Sequence, residues 1–251
     1  MNTTINIFWT GGWASTFRVA YAALIGKGVV IPHYIVDLDR HSTMHEMRAI
    51  ADVRDALTRL DERAAERVGA LAITPITEIS QDASVTRAYW QLADVEELNE
   101  QYDWLARYAK SRGLKRLELC SSLHDSVSHI LRGKIERLPM GGCQLREGLC
   151  CPHSELFARF HFPVLALSRL QMRSLAEQHG FLSVLEHSWS CSRPLNGEPC
   201  GTCDSCRFTV DEGLSYRLPA EAMLRHRRQR FRHTGPVTPG VEGRSRQLPM
   251  R

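Results

Sequence analysis

Residues 8–17 read Phe-Trp-Thr-Gly-Gly-Trp-Ala-Ser-Thr-Phe (FWTGGWASTF). An apolar run at 5–9 precedes the two glycines, and a helix-like run at 15–25 follows them. Glycines let a backbone approach a ligand closely and present its amides. The helix start behind them adds partial positive charge, which favours an anion. Thr10 and Ser15 add hydroxyl donors, and Trp13 stands beside them. Together, Thr10, Gly11, Gly12, Trp13 and Ser15 make a candidate phosphate cradle. The spacing is neither that of a P-loop nor that of a dinucleotide fold, and the glycine pair alone fits a plain tight turn equally well. Trp9, the last residue of the apolar run, reads as core.

Working outward, residues 4–9 read as a strand and 29–37 as a second β-rich run. A long helical stretch follows at 43–68, opened by a Thr43–Glu46 capping box. A third apolar segment covers 70–76, a helix 92–112, a fourth strand 116–122, and a further helix lies within 164–180. Strands alternating with helices predict an α/β fold with a parallel sheet and covered faces. Ligands in such sheets bind beyond the carboxyl ends of the strands. That edge gathers the loop at 10–15, Asp37 and the loop at 121–126. The expected organisation is an α/β domain at 1–180, a cysteine-bearing region at 181–224 and an arginine-rich tail at 225–251.

The 251 residues carry a net charge of +4, but residues 225–251 hold eight arginines and one glutamate. The rest of the chain is therefore slightly acidic, which argues against a broad nucleic-acid footprint. No apolar run reaches the ~18 residues of a membrane span. The N-terminal residues lack a basic segment followed by an apolar core, so a cytoplasmic location is expected.

Residues 191–206 contain Cys191, Cys200, Cys203 and Cys206, spaced C-x8-C-x2-C-x2-C. Thiolates at two-residue gaps suit one tetrahedral Zn²⁺. Four protein sulfurs leave no open coordination position, so the ion would be structural. Cys120 reads as a core residue. Cys143, Cys150, Cys151 and His153 read as packing or as a lid, with a second metal site the weaker reading.

The glycine loop resembles the S-G-G-x-D-S signature of the PP-loop ATP pyrophosphatases, with Thr10 and Ser15 at the serine positions. The cysteine cluster, with SWSC at 188–191 and PCGTCDSC at 199–206, resembles the ending of the 7-cyano-7-deazaguanine synthases, the QueC-like branch of that superfamily. The run at 162–181 and the loop SSLHDS at 121–126 are similar to further family segments. Arg169 stands where the family commonly has lysine. The likeness is weak over 40–115.

The resemblance implies a Rossmann-like, adenine nucleotide alpha hydrolase-like domain that uses ATP and Mg²⁺. ATP would adenylate the carboxylate of 7-carboxy-7-deazaguanine on the way to an amide or nitrile. It places Thr10, Gly11, Gly12 and Ser15 at the phosphates. It also puts Asp125 and Ser126 near the ligand, with Ser122 a further candidate there and a capping role for Asp125 fitting as well, and a homodimer would be in keeping with it. Asp37 would meet the ribose or adenine, and Arg132 and Lys134 would neutralise phosphate. For these three, a solvated strand-end acid or helix face fits as well.

Ala14 departs from the family, which has aspartate there, because an alanine offers Mg²⁺ no oxygen. Either the chain is a natural non-catalytic relative or Ala14 is an inactivating replacement. The intact surroundings favour the second. Two alternatives to the leading function are a relative that passes the activated acyl group to an amine of a partner protein, and a module that binds nucleotide or deazaguanine without chemistry.

Overall fold

The computed structural model describes residues 4–139, 141–149 and 152–233. The chain starts with β1 (Thr4–Phe8), α1 (Trp13–Leu24) and β2 (Val29–Val36). Next come α2 (Thr43–Leu60), α3 (Glu62–Glu66), β3 (Ala72–Pro75), α4 (Ala83–Ala93) and α5 (Gln101–Ser111). The middle holds β4 (Leu117–Glu118), α6 (Ser126–Ile130), β5 (Ile135–Arg137), β6 (Cys143–Leu145), α7 (His153–Phe157) and β7 (Phe160–Phe162). The last described elements are α8 (Arg169–Gln178), α9 (Leu182–Leu185), α10 (Asp204–Asp211) and α11 (Ala220–His233).

The strands form one seven-stranded sheet in the order β3-β2-β1-β4-β7-β6-β5. The first five are parallel, and β6 and β5 continue the sheet antiparallel. Ile7 of β1 pairs with Pro32 on one side and Glu118 on the other. The chain thus winds outward from β1 through β2 and β3, then crosses to β4 and β7. Such a reversal opens a crevice at the carboxyl ends of β1 and β4.

Strand alternation divides the core. Ile7 and Tyr34 join one cluster with Trp9, Phe17, Val53 and Phe181, whereas Phe8 and Ile35 join the opposite cluster with Tyr89, Leu105 and Phe157. Residues adjacent in a strand face opposite sides, so both faces of the sheet are covered.

Several expectations are corrected. The stretch 43–68 is two helices, because Asp61 is extended (φ −157°, ψ 102°) and its carboxylate caps the Ala64 N–H at 3.0 Å. The Thr43–Glu46 capping box does not form. Glu46 is 4% exposed and takes hydroxyl donors from Tyr34 (2.9 Å) and Ser42 (2.7 Å), while the Thr43 hydroxyl donates to the Asp37 carbonyl at 2.7 Å. A buried carboxylate needs strong partners more than the helix start needs a cap.

The expected helix at 92–112 is also interrupted: α4 stops at Ala93 and α5 starts at Gln101. The arginine-rich segment begins inside α11, so the boundary expected at 224/225 falls within that helix. Residues 234–251 lie outside the described residues. No helix among the described residues is long and apolar enough to cross a membrane.

Candidate functional site

β1 delivers the chain to the crevice, and Gly11 turns it with φ +67°, a left-handed conformation that favours glycine. A Cβ on Gly11 would lie 2.8 Å from the Glu46 carbonyl oxygen, so the loop packs directly on α2. The Gly11 carbonyl accepts the Trp189 N–H at 2.8 Å. Gly12, extended at φ −74°, is the cap position of α1. The first-turn amides of α1 have no partner inside the helix, which makes this end an anion seat. The Ser15 hydroxyl rests on the Gly12 carbonyl at 3.3 Å.

The crevice is a cavity of ≈ 870 Å³, lined on this side by Thr10, Gly12, Trp13, Ala14 and Ser15. Ser121, Ser122, Asp125 and Ser126, in the loop and helix start after β4, line it as well. The Ser122 N–H donates to Asp125 Oδ2 at 2.5 Å. Ser122 is 1% exposed and its hydroxyl has no hydrogen-bond partner. Such a buried, unsatisfied hydroxyl is a cost that the surrounding fold carries.

A third wall comes from the start of α5 and the loop before it, with Glu97, Asn99, Gln101 and Trp104. Tyr102 of this wall has its phenol pushed up to about 12, first by burial and then by Asp125. The fourth wall is the cysteine region, with Trp189 to Ser192, Ser205, Arg207 and Phe208.

The structure therefore gathers Thr10, Gly12, Trp13, Ala14, Ser15, Ser122 and Asp125 around one cavity, with Gly11 directly behind. It does not bring Asp37 there: that carboxylate accepts the Asp39 N–H at 3.0 Å in the turn after β2. Arg132 contacts His129 Nδ1 at 3.0 Å, and Lys134 donates to the Ile130 carbonyl at 2.8 Å; neither lines the cavity.

The cations that do line it are Arg40, Arg169 and Arg207. Arg40 pairs with Glu46 at 3.0 Å, and Arg207 pairs with Asp204. Arg169 has looser contacts, 3.6 Å to Glu212 and 3.4 Å to the Thr209 hydroxyl. Arg40 had no sequence signal and Glu46 only that of a helix cap; the docking of α2 against the glycine loop is what brings them to the cavity. Trp9 is core, with its indole N–H on the Thr16 hydroxyl at 3.1 Å.

Beneath the cavity, Glu118 receives two bonds of 2.7 Å from Arg18 and one of 3.2 Å from His161. Burial raises the Glu118 pKa, but the bonds from His161 and Arg18 outweigh it and hold the group below the usual carboxylate value.

The sulfurs of Cys191, Cys200, Cys203 and Cys206 all lie within 4.8 Å of one another and are buried. Cys191 and Cys203 are 3.8 Å apart and Cys200 and Cys206 4.0 Å apart. A tetrahedron with ~2.3 Å Zn–S bonds has edges of about 3.8 Å, whereas a disulfide needs ~2.05 Å. The donor set thus fits a closed tetrathiolate zinc site. Backbone N–H groups of Cys200, Thr202 and Cys203 point at the sulfurs at 3.2–3.4 Å, as suits thiolates. Among the described residues, Cys143 is a buried β6 residue outside this cluster, and His153 begins α7. Cys150 and Cys151 lie outside the described residues.

The family model of the queuosine biosynthesis protein QueC matches residues 152–214, about a quarter of the chain. The match includes the four cysteines and Arg169 and does not reach the glycine loop. Comparison with curated proteins gives no match. The chain is QueC-like over the matched stretch.

Proposed function

We propose that this chain is a PP-loop protein of the 7-cyano-7-deazaguanine synthase type, whose cavity holds ATP beside a 7-deazaguanine carboxylic acid. One observation carries the reading: a glycine turn leading into a helix N-terminus lines a ≈ 870 Å³ cavity at the sheet's switch point, together with Ser122 and Asp125 of the loop after β4. The QueC match to the adjoining wall supports it.

The chemistry explains why these groups belong together. A carboxylate is a poor electrophile, because its charge repels nucleophiles and oxide leaves badly. Its oxygen attacks the α-phosphorus of ATP, the bond to the β-phosphate breaks, and pyrophosphate departs. An amine then displaces AMP from the acyl carbon to give an amide. The amides around Gly11 and Gly12, with Thr10 and Ser15, seat the phosphates. Arg169, loosely held by its own partners, adds positive charge. Phe8, Ile35, Trp104 and Leu105 give part of the lining an apolar character, which would help keep water from the activated acid. Asp125, which lines the same cavity as the glycine loop, would hold Mg²⁺.

Ala14 lies on the cavity wall where the family aspartate would stand, and it removes an oxygen ligand for that ion. The chain as it stands therefore binds but turns over poorly. The test incubates the chain and its Ala14→Asp variant with ATP and 7-carboxy-7-deazaguanine and weighs the products. The expected result is ATP binding by both, with pyrophosphate and an amide or nitrile from the variant. A mass adduct on an added protein would move the reading to acyl transfer. Absence of ATP binding by both would refute it.

A further inference from the structure

Arg217 has no place in the site described so far. It ends the short turn Ser215–Arg217 after α10, and its side chain is 11% exposed. Its Nε donates to Glu186 Oε2 at 3.1 Å. Its Nη2 donates to the carbonyls of Glu186 at 3.0 Å and Ser188 at 2.6 Å. The guanidinium carbon lies over the Trp13 ring, 4.7 Å from its centroid.

Both contacts lead to the glycine loop. Ser188 precedes Trp189, whose N–H is bonded to the Gly11 carbonyl and whose ring stacks on His45 at 4.5 Å and 14°. Trp13 directly follows Gly12, and its indole N–H donates to the Arg169 carbonyl at 3.2 Å. One planar cation thus touches Trp13 directly and reaches Gly11 through Ser188 and Trp189. The turn that carries Arg217 is fixed in its own right by the cysteine region. The Leu214 N–H bonds the Thr209 carbonyl of α10 at 2.9 Å, and Leu218 packs in the same cluster as the four cysteines. A lysine could not reproduce this grip, since a point ammonium cannot fork between two carbonyls while lying flat on an indole.

We propose that Arg217 is a positioning residue that couples the cysteine knot to the glycine loop and sets its amides for a nucleotide's phosphates. The nucleotide part of this statement rests on the function proposed above.

The test compares full-length, zinc-loaded wild type with Arg217→Met and Arg217→Lys. Zinc content, hydrogen exchange of the amides at 10–16, and ATP affinity are measured. Arg217→Met should keep its zinc and show faster exchange at 10–16 than at β1 and β2. Its ATP dissociation constant should rise about tenfold, the scale of one lost charge-assisted contact. Arg217→Lys should recover part of both changes. Unchanged loop exchange with zinc retained overturns the proposal, as does a uniform rise across β1 and β2, which marks general destabilisation. If Arg217→Met loses zinc or fails to fold, Arg217→Lys decides by the same loop exchange. A wild type that binds no ATP sinks the nucleotide reading, while exchange at 10–16 still decides the role of Arg217.

Discussion

Replacing Gly11 with alanine should be far more damaging than the same change one residue later. At φ +67°, a side chain forces Gly11 into left-handed strain of about 1–2 kcal/mol. The new Cβ would also lie 2.8 Å from the Glu46 carbonyl oxygen, 3.2 Å from Ile50 Cγ1 and 3.3 Å from Ala49 Cβ. The first of these is backbone inside α2 and cannot swing aside, so overpacking adds about 1–3 kcal/mol. A combined loss near 3 kcal/mol is expected. At about 2–4 °C per kcal/mol for a chain of this size, the melting temperature falls by roughly 6–12 °C.

Gly12→Ala is the control. Its φ of −74° is ordinary, and its Cβ would meet the rotatable Thr10 hydroxyl at 3.3 Å, with the Trp189 carbonyl and the Ser15 hydroxyl at ordinary contact distances of 3.8 and 3.9 Å. It should cost under about 1 kcal/mol, within the range for cap substitutions. Thermal and urea unfolding of both variants supply the measurement. The packing argument is wrong if Gly11→Ala melts within a degree or two of wild type, or if Gly12→Ala matches its loss.

Cys203→Ser should abolish stoichiometric zinc in metal analysis, whereas Cys143→Ser should leave one ion per chain, since Cys143 stands outside the sulfur cluster. Glu118 sets an acid limit on stability. Its folded pKa lies below the ordinary 4.5, so its ionised form stabilises the fold above that pH, and the contribution is lost as pH falls through the folded value. Glu118→Gln should therefore flatten the acid side of the stability profile. It should also cost about 2–3 kcal/mol at neutral pH, less than the ~3–5 kcal/mol for a fully buried pair, because the Arg18 side chain is 20% exposed. Equal acid slopes for variant and wild type would remove Glu118 from the argument.

The first strand, the glycine turn and its helix were legible because local pattern decides them: an apolar run, a residue that must take positive φ, then a helix. The cysteine knot was legible because its chemistry is written in spacing. The hairpin of β5 and β6 was not, since three-residue strands carry too little alternation to read. It turns at Gly141–Gly142, where a Cβ on Gly142 would meet His161 Nε2 at 2.5 Å, a contact no local window contains. The merged helix at 92–112 arose because Leu98, Tyr102 and Leu105 continue the apolar spacing of α4 across a non-helical gap. Cations were hardest. Arg132 and Lys134 sit near a candidate loop in sequence, but Arg169 reaches the cavity from the start of α8.

The same tertiary bookkeeping bears on Ala14. Four carboxylates line the cavity: Glu46, Glu97, Asp125 and Asp204. Glu46 is already bonded to Tyr34 and Ser42 and paired with Arg40, so turning to a metal would strand two hydroxyls and a guanidinium. Asp204 is held by Arg207, and Glu97 stands on the α5 side. Asp125 engages one oxygen with the Ser122 N–H and lines the same cavity as the glycine turn. On the function proposed above, a dication among the phosphates would meet Asp125 alone, where an aspartate at position 14 would add a second carboxylate. The phosphates would be held by backbone amides and hydroxyls, which Ala14 leaves untouched. Binding and turnover would then depend on different atoms, and a substitution at position 14 would separate them.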